Sequence, residues 1–215
     1  ANDFGHSSLE MQSVIVSYTV TLAILIPLSG WLADKYGTRK IFTLSVIIFT
    51  LGSLFCGLSY DLTALVISRI IQAIGGAMMV PVARLAILYS YPKSQLLRVM
   101  NFITIPGLVG QVIGPSLGGF LSDNYSWHWI FIINLPIGCI GYFIATKKMP
   151  NLSKKVHKFD SLGLFYISAI IVALTLIMEF LSIGFTQWSI ISITLLVTII
   201  CIICYIKHSK KTTYS

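Results

Sequence analysis

Arg69 and Gln72 are the residues of this sequence best placed to do chemistry. They lie three positions apart in an apolar run, so a helix puts both side chains on one face, where they can share hydrogen bonds. An arginine inside a membrane costs at least ~2.5 kcal/mol and normally turns inward toward a partner. The pair is therefore predicted to act in proton transfer or in the electrostatics of a substrate site. The alternative is an arginine that extends to the membrane surface.

A second charged group surrounds Asp34, which directly follows an apolar run. Its carboxylate could pair with Lys35 or Arg39, or it could lie at a neighbouring helix N-terminus, where the helix dipole favours negative charge. Gly30 and Gly37 lie on either side of Asp34 and permit tight turning of the backbone. The alternative is a solvated loop without a further role.

The remaining reactive side chains do not form a recognisable site. No nucleophile–base constellation or phosphate-binding loop is found, and the four histidines are scattered. Cys201 and Cys204 have C-x-x-C spacing, but they stand in a continuous apolar run and are interpreted as small buried residues. The sequence therefore predicts no enzyme, no metal site and no cofactor.

Composition identifies the environment in which these residues act. Charged residues make up 10% of the chain and hydrophobic residues 56%, with a mean hydropathy of +0.86. Ordinary soluble domains are roughly 25% charged. A helix that crosses the bilayer needs about 20 mostly apolar residues. Such runs predict an all-α membrane bundle of seven spans: 13–33, 41–60, 62–88, 99–121, 129–146, 161–183 and 187–206.

The lysines and arginines predict the orientation of these spans. Thirteen of the fifteen fall in connections that would share one side of the membrane, and the other two, Arg69 and Arg84, lie inside the third span. Because cytoplasmic loops are enriched in positive charge, the N-terminus is predicted outside and the C-terminus in the cytoplasm, across the cell's inner (plasma) membrane. The net charge of +8 is then a topology signal and a contact for anionic lipid, not a sign of nucleic-acid binding.

One stretch of sequence occurs twice. Residues 30–42 read GWLADKYGTRKIF, and 89 residues later 119–131 read GFLSDNYSWHWIF, with six identities in thirteen positions. The copies end the first and fourth spans, so they are predicted to face opposite sides of the membrane. Such a pattern is typical of the inverted three-helix repeats of transporters. It also implies a helix before residue 13, so the chain is expected to be an N-terminal-half fragment.

Five segments in order resemble the major facilitator superfamily. GWLADKYGTRK (30–40) resembles its cytoplasmic signature loop, and LVISRIIQAIGGA (65–77) its fourth-helix motif. GQVIGPSLGG (110–119) is similar to the fifth-helix motif of drug:proton antiporters. WHWIFIINLPIG (127–138) and FDSLGLF (159–165) resemble segments of the fourteen-helix EmrB/QacA-type branch, and within it several stretches are most similar to the MdtD-type group.

The resemblance implies roles for individual residues. The signature loop would gate the cytoplasmic face, and Arg69 and Gln72 would lie on the proton or substrate pathway. The loop and the antiporter motif contribute, respectively, Gly30, Asp34, Gly37, Arg39, Lys40 and Gly110, Gly114, Pro115, Gly118, Gly119. The three glycines at 110, 114 and 118 form a ridge along which helices could approach closely. Three positions depart from the family pattern: Thr38 and His128 replace arginines, and Ala73 replaces a glycine.

The resemblance also implies an organisation and a function. Residues 1–146 would form a helical bundle without its first helix, 147–160 a basic cytoplasmic loop, 161–206 two central helices, and 207–215 a cytoplasmic tail. The implied function is secondary transport: proton-driven export of drug-like amphipathic compounds, with the proton gradient as the energy source. The implied partners are the bilayer, protons, the substrates, the first helix and the C-terminal half.

Two other functions stay open. The first is a remnant that does not transport, because substrate binds between two six-helix halves in this architecture. The second is a receptor or photoreceptor with seven spans, although a retinal protein needs a lysine inside a span and the predicted spans contain none.

Overall fold

The protein is described by a computed structural model over residues 8–155, 159–182 and 188–211. Within these ranges the regular secondary structure consists of helices, which are numbered here in chain order. They are α1 Ser8–Tyr36, α2 Thr38–Gly57, α3 Leu62–Ser90, α4 Lys93–Asn124, α5 Trp129–Ile132, α6 Asn134–Lys148, α7 Ser161–Ser182 and α8 Trp188–Lys211.

Seven segments among the described helices are long and apolar enough to cross a membrane, as the sequence predicts. The short helix α5 and helix α6 make one span, because the backbone of Ile133 between them is itself helical, with φ −59° and ψ −23°. Several helices extend beyond the apolar runs: α4 begins at Lys93 rather than at 99, and α8 ends at Lys211 rather than at 206. Hydropathy marks only the part of a helix inside the hydrocarbon core, whereas the backbone hydrogen bonds continue into the polar flank.

Helices α2 and α3 pack closely because two glycines let their backbones touch. A Cβ added at Gly52 would lie 2.5 Å from the Gln72 backbone nitrogen, and one added at Gly75 would overlap the backbone of Ser45 and Phe49. Small residues at helix contacts are the usual means of packing in a membrane, where the solvent around the helices is itself apolar. This contact forms the centre of the fold, and most of the described buried polar side chains lie on these two helices: Thr38, Ser45, Ser53, Ser68 and Gln72.

Helix α4 lies at the margin of the described bundle. None of its residues is buried, although α3 and α5 touch its ends. The glycine ridge predicted to let helices approach meets no such neighbour here: added Cβ atoms at Gly110, Gly114 and Gly118 would find no atom within 4 Å. The ridge is therefore an open face within the described residues.

Helices α7 and α8 pack against each other, and α7 also packs on α1. At the start of α7 the Asp160 carboxylate accepts a hydrogen bond from the Gly163 backbone N–H at 2.8 Å, and a Cβ at Gly163 would overlap that carboxylate. Near the end of α8, His208 Nε2 lies 2.8 Å from Asp160 Oδ1. The Asp and Gly of the FDSLG segment thus cap α7, and the Asp also ties α7 to α8.

The two similar stretches lie at opposite ends of α2. The first copy contains Gly37, the single residue between α1 and α2. In the second copy, His128 Nε2 lies 3.3 Å from the Ser59 carbonyl oxygen just beyond the end of α2, and Ile132, the residue after this copy, packs against Gly57. A helix of this length spans about 30 Å. The copies therefore face opposite ends of a membrane-spanning helix, in agreement with the predicted repeat.

We expect Gly75→Ala to destabilise the chain, because the new methyl group meets the backbone of α2. Overpacking of this kind costs about 1–3 kcal/mol. The matched control is Gly114→Ala on α4, where the space is open and alanine is the better helix former by about 1 kcal/mol. Unfolding by sodium dodecyl sulfate in mixed micelles measures both variants. Equal stability of the two variants would contradict the close packing of α2 on α3.

We expect the Asp160 contacts to make the docking of α7 on α8 depend on pH. The backbone N–H of Gly163 and the neighbouring His208 lower the pKa of the Asp160 carboxyl below its ordinary value. The resulting stabilisation is fully present above the ordinary pKa and is lost as the pH falls through the lowered one. Asp160→Asn should therefore be less stable than the wild type at about pH 7, and the difference should disappear as the pH falls through the lowered pKa of the Asp160 carboxyl.

The exposed Asp123 near the end of α4 supplies the matched control for this prediction. Asp123→Asn removes the same charge from a carboxylate without these contacts. Thermal unfolding in a nonionic detergent across the pH range compares the two variants. A stability loss in Asp160→Asn that does not change with pH would contradict the assigned role of the carboxylate.

Candidate functional site: a partly buried arginine and a signature turn

The predicted pair of Arg69 and Gln72 is joined directly in the structure. Arg69 Nη1 donates to Gln72 Oε1 at 2.7 Å, and Gln72 Nε2 donates to Ser53 Oγ on α2 at 2.7 Å. Gln72 and Ser53 are both buried. Because the amide donates to the serine, its oxygen is left facing the guanidinium. The serine on α2 thereby fixes the orientation of the group that holds the arginine.

Aromatic rings cover the guanidinium of Arg69. Its Cζ lies 3.9 Å from the ring centroid of Tyr18 on α1 and 5.8 Å from that of Phe131 on α5. Cation–π contacts of this kind stabilise a charge that has left water, by about 2 kcal/mol or more when desolvated. Rings from two other spans therefore cover Arg69, and its side chain turns into the bundle rather than toward the membrane surface.

Within the described part of the chain, no carboxylate forms an ion pair with Arg69. The ion pair found among the described residues joins Asp160 and His208. In addition, Arg69 Nε is buried and has no hydrogen-bond partner among the described residues. A partly buried guanidinium whose Nε is a buried, unused donor can bind an acidic group, because a charge-assisted hydrogen bond would replace the one lost with water.

The signature segment is a turn of one residue rather than a loop. Asp34 and Lys35 belong to the last turn of α1, Arg39 and Lys40 to the first turn of α2, and Gly37 alone connects them. The backbone of Gly37 has φ 97°, a conformation that favours glycine, and an added Cβ would also overlap the Asn151 side chain. This position therefore requires glycine on two counts.

The partner of Asp34 is a tyrosine. Tyr89 Oη on α3 donates to Asp34 Oδ1 at 2.8 Å, and the described residues include no ion pair of Asp34 with Lys35 or Arg39. Lys35 instead places its Nζ 4.4 Å from the ring centroid of Trp31. Of the two arrangements left open for the Asp34 carboxylate, pairing with Lys35 or Arg39 is thus not formed. Lys35 is the next residue of the same helix, so its side chain projects from a different face.

The other predicted site residues are more exposed or less closely packed. Gly30 is partly buried, and a Cβ there would lie 3.9 Å from Leu85 Cδ1, which is ordinary contact. Lys40 and Pro115 are exposed, and a Cβ at Gly119 would find open space. The structure therefore brings together the signature turn and, separately, the arginine cluster, but it gives the antiporter segment on α4 no partner among the described residues.

Three grooves accompany these helices and none of the three reaches Arg69. Those between α2 and α6 have volumes of about 250 and 150 Å³, and one near the end of α3 has about 370 Å³. The 250 Å³ groove is bordered by apolar side chains including Val46 and Phe143. Such lateral grooves face the surroundings of the bundle, where lipid would lie.

Local sequence patterns do not identify the residues that position Arg69, Gln72 and Asp34. Ser53, Tyr18 and Tyr89 belong to different helices from the side chains they contact, so no local spacing links them. The available signal for Ser53 was a polar residue in an apolar run, directly after Gly52. That combination marks a close helix contact but does not identify the helix that makes it.

Comparison with known proteins assigns the family. Residues 1–206 match the Major Facilitator Superfamily. Since the match takes in nearly the whole chain, the protein belongs to this superfamily and is a multi-pass membrane protein of the helical-bundle class. Proteins of this superfamily are in general transporters rather than enzymes.

Curated relatives from Salmonella enteritidis and Salmonella typhimurium are each named "Putative multidrug resistance protein MdtD". Each is 42% identical over 212 residues, covering 98% of this chain and 45% of the relative. The chain thus spans about half the length of the curated relatives it matches. A solved bacterial homologue of the human lysosomal transporter Spinster, inward-facing and unoccupied, covers 80% of this chain and 52% of its own, with TM-score 0.44 and 18% identity.

We expect Ser53→Ala to destabilise the chain by leaving the Gln72 amide without its acceptor. An unsatisfied buried donor costs about 1–3 kcal/mol. Ser45→Ala is the matched control, because Ser45 is also buried on α2 but donates to the Ile41 carbonyl of its own helix at 2.6 Å. Unfolding in mixed micelles should show a larger loss for Ser53→Ala. Equal losses would mean that the serine does not hold the network.

Proposed function

We propose that this chain forms part of a secondary transporter that exports drug-like, amphipathic compounds in exchange for protons. The relatives that are named as multidrug resistance proteins support the compound class. The glycine-rich segment that resembles the antiporter motif supports exchange with protons. The single observation that carries the proposal is Arg69, a membrane-embedded cation with a buried, unused donor.

The chemistry follows from the nature of arginine. A guanidinium stays protonated in proteins, so Arg69 does not carry the exchanged proton itself. A cation does lower the proton affinity of a carboxylate nearby, and it does so strongly where water is excluded. The proposed role of Arg69 is therefore to promote proton release from an acidic group of the whole transporter. In the family that the chain resembles, the first helix has a motif that contains an aspartate, and the resemblance implies that this helix precedes the one corresponding to α1.

The contacts of Arg69 suit a step that must be reversible. Tyr18 and Phe131 stabilise the cation without neutralising it, and Gln72 leaves donors of the guanidinium available. An acidic group can therefore join and leave without breaking a salt bridge that is already formed. A cationic substrate would compete for that acidic group, which is the basis of exchange.

The signature turn is proposed to gate the cytoplasmic face. This assignment places the N-terminal end of the chain outside and α8's C-terminal end in the cytoplasm, following the distribution of lysine and arginine. The gating residues are those of the turn, namely Gly30, Asp34, Gly37, Arg39 and Lys40. Residues 1–146 then form the bundle, 147–160 a basic connection and 161–206 the central pair.

A chimera tests the proposal. The 215 residues replace the matching part of a complete MdtD relative, to which they are 42% identical, and drug-induced proton movement is recorded in everted membrane vesicles. The intact chimera should release protons when drug is added. Arg69→Ala and Arg69→Lys should abolish this signal, because lysine cannot reproduce the forked contact with Gln72 and an acid.

Arg84→Ala is the matched control, since Arg84 lies on the same helix but is exposed. A fluorescent tag on each chimera confirms equal insertion in the membrane. Drug-induced proton release that persists in Arg69→Ala would overturn the role of Arg69. A well-inserted chimera that moves no protons with any of a panel of cationic drugs would overturn the proposed exchange. The 215 residues expressed alone should not transport, because the substrate lies between two halves in this architecture.

A further inference from the structure

Residues 150–154, which follow α6, lie against the turn between α1 and α2. Thr38 Oγ1 donates to the Pro150 carbonyl at 2.9 Å and accepts from the Leu152 backbone N–H at 3.1 Å. The Thr38 backbone N–H donates to the Leu152 carbonyl at 2.9 Å. One threonine thus makes three hydrogen bonds to a segment more than a hundred residues away in sequence.

The contact continues along the end of α1. The Lys154 backbone N–H donates to the Asp34 carbonyl at 3.0 Å, and Lys154 Nζ lies 3.7 Å from the ring centroid of Tyr89. Tyr89 is also the donor to the Asp34 carboxylate. The Asn151 side chain fills the space beside Gly37. The segment therefore touches both the backbone and the ring that hold Asp34 in place.

The hydroxyl of Thr38 cannot be replaced by the residue that the family pattern favours. Thr38 is fully buried, at 0% exposure. Its hydroxyl group both donates and accepts, whereas an arginine side chain has donors only and could not accept from Leu152. A buried arginine would also need a partner for its charge. The threonine that stands at position 38 in place of the family's arginine therefore fits the hydrogen bonds made with residues 150–154.

We propose that residues 150–154 form a strap that fastens the connection after α6 to the signature turn, with Thr38 as the positioning residue. Just beyond, the Phe159 ring lies 4.7 Å from that of Trp31, so the start of the central pair also contacts the end of α1. The strap is a contact within the chain. Its consequence for transport, that movement of the turn is passed to the central helices, rests on the proposed function.

Hydrogen–deuterium exchange resolved to single amides tests the strap in detergent-solubilised full chain. Thr38→Val keeps the shape of the side chain but removes the hydroxyl. The amides of Leu152 and Lys154 should then exchange about tenfold faster, since a net hydrogen bond is worth roughly that factor. Thr38→Ser should restore protection. Thr43→Val is the matched control, because its hydroxyl donates to the Arg39 carbonyl of its own helix at 2.9 Å.

Unchanged exchange in Thr38→Val, or loss of protection in Thr38→Ser as well, would overturn the role of the hydroxyl. Where Thr38→Val fails to give a monodisperse chain, Leu152→Pro removes from the strap the N–H that donates to the Thr38 hydroxyl. It should speed exchange at Lys154, and an unchanged Lys154 amide would overturn the proposal. None of these readouts involves transport, so a failed strap is distinguished from a failed transport function.

Discussion

The close approach of α2 and α3 is the constraint on which the rest of the structure depends. At Gly52 and Gly75 the two backbones are in contact, and no larger side chain fits between them. In a membrane, helices gain little from burying apolar surface against each other, so close packing and hydrogen bonds must hold them. The glycines supply the packing, and the closeness brings Ser53 within hydrogen-bond distance of Gln72.

From that contact the arginine site follows. Ser53 orients the Gln72 amide, the amide oxygen holds Arg69, and the ring of Tyr18 covers the guanidinium from α1. This arrangement stabilises a cation in an apolar setting without giving it a fixed counter-charge among the described residues. A permanent buried salt bridge would be hard to break during a transport cycle, whereas a cation held by an amide and rings stays available.

The signature turn obeys a different constraint. A single residue reverses the chain, so its neighbours belong to regular helices and their side chains project in directions fixed by the helical period. The carboxylate of Asp34 consequently meets Tyr89 on α3 rather than the cations beside it in sequence. The main-chain groups freed at the turn are satisfied by the strap, through Thr38 and the Asp34 carbonyl.

The sequence by itself determined the class of fold, the seven spans, the repeated stretch and the pairing of Arg69 with Gln72. These follow from local rules: hydropathy decides which segments enter the bilayer, and the helical period places residues three apart on one face. It also pointed to the family, because motif residues such as Gly37 and Gly163 answer local requirements. Gly37 has a positive φ, and at Gly163 an added Cβ would overlap the nearby Asp160 carboxylate.

Only the tertiary structure decided which side chains complete each site. Ser53, Tyr18 and Tyr89 reach their partners across helix contacts, and Thr38 reaches a segment more than a hundred residues away. The open glycine ridge of α4 was likewise invisible in the sequence, which shows that a helix can pack closely but not whether a neighbour is there. The physical reason is that hydrogen bonds and packing depend on distances in space, which local periodicity does not encode.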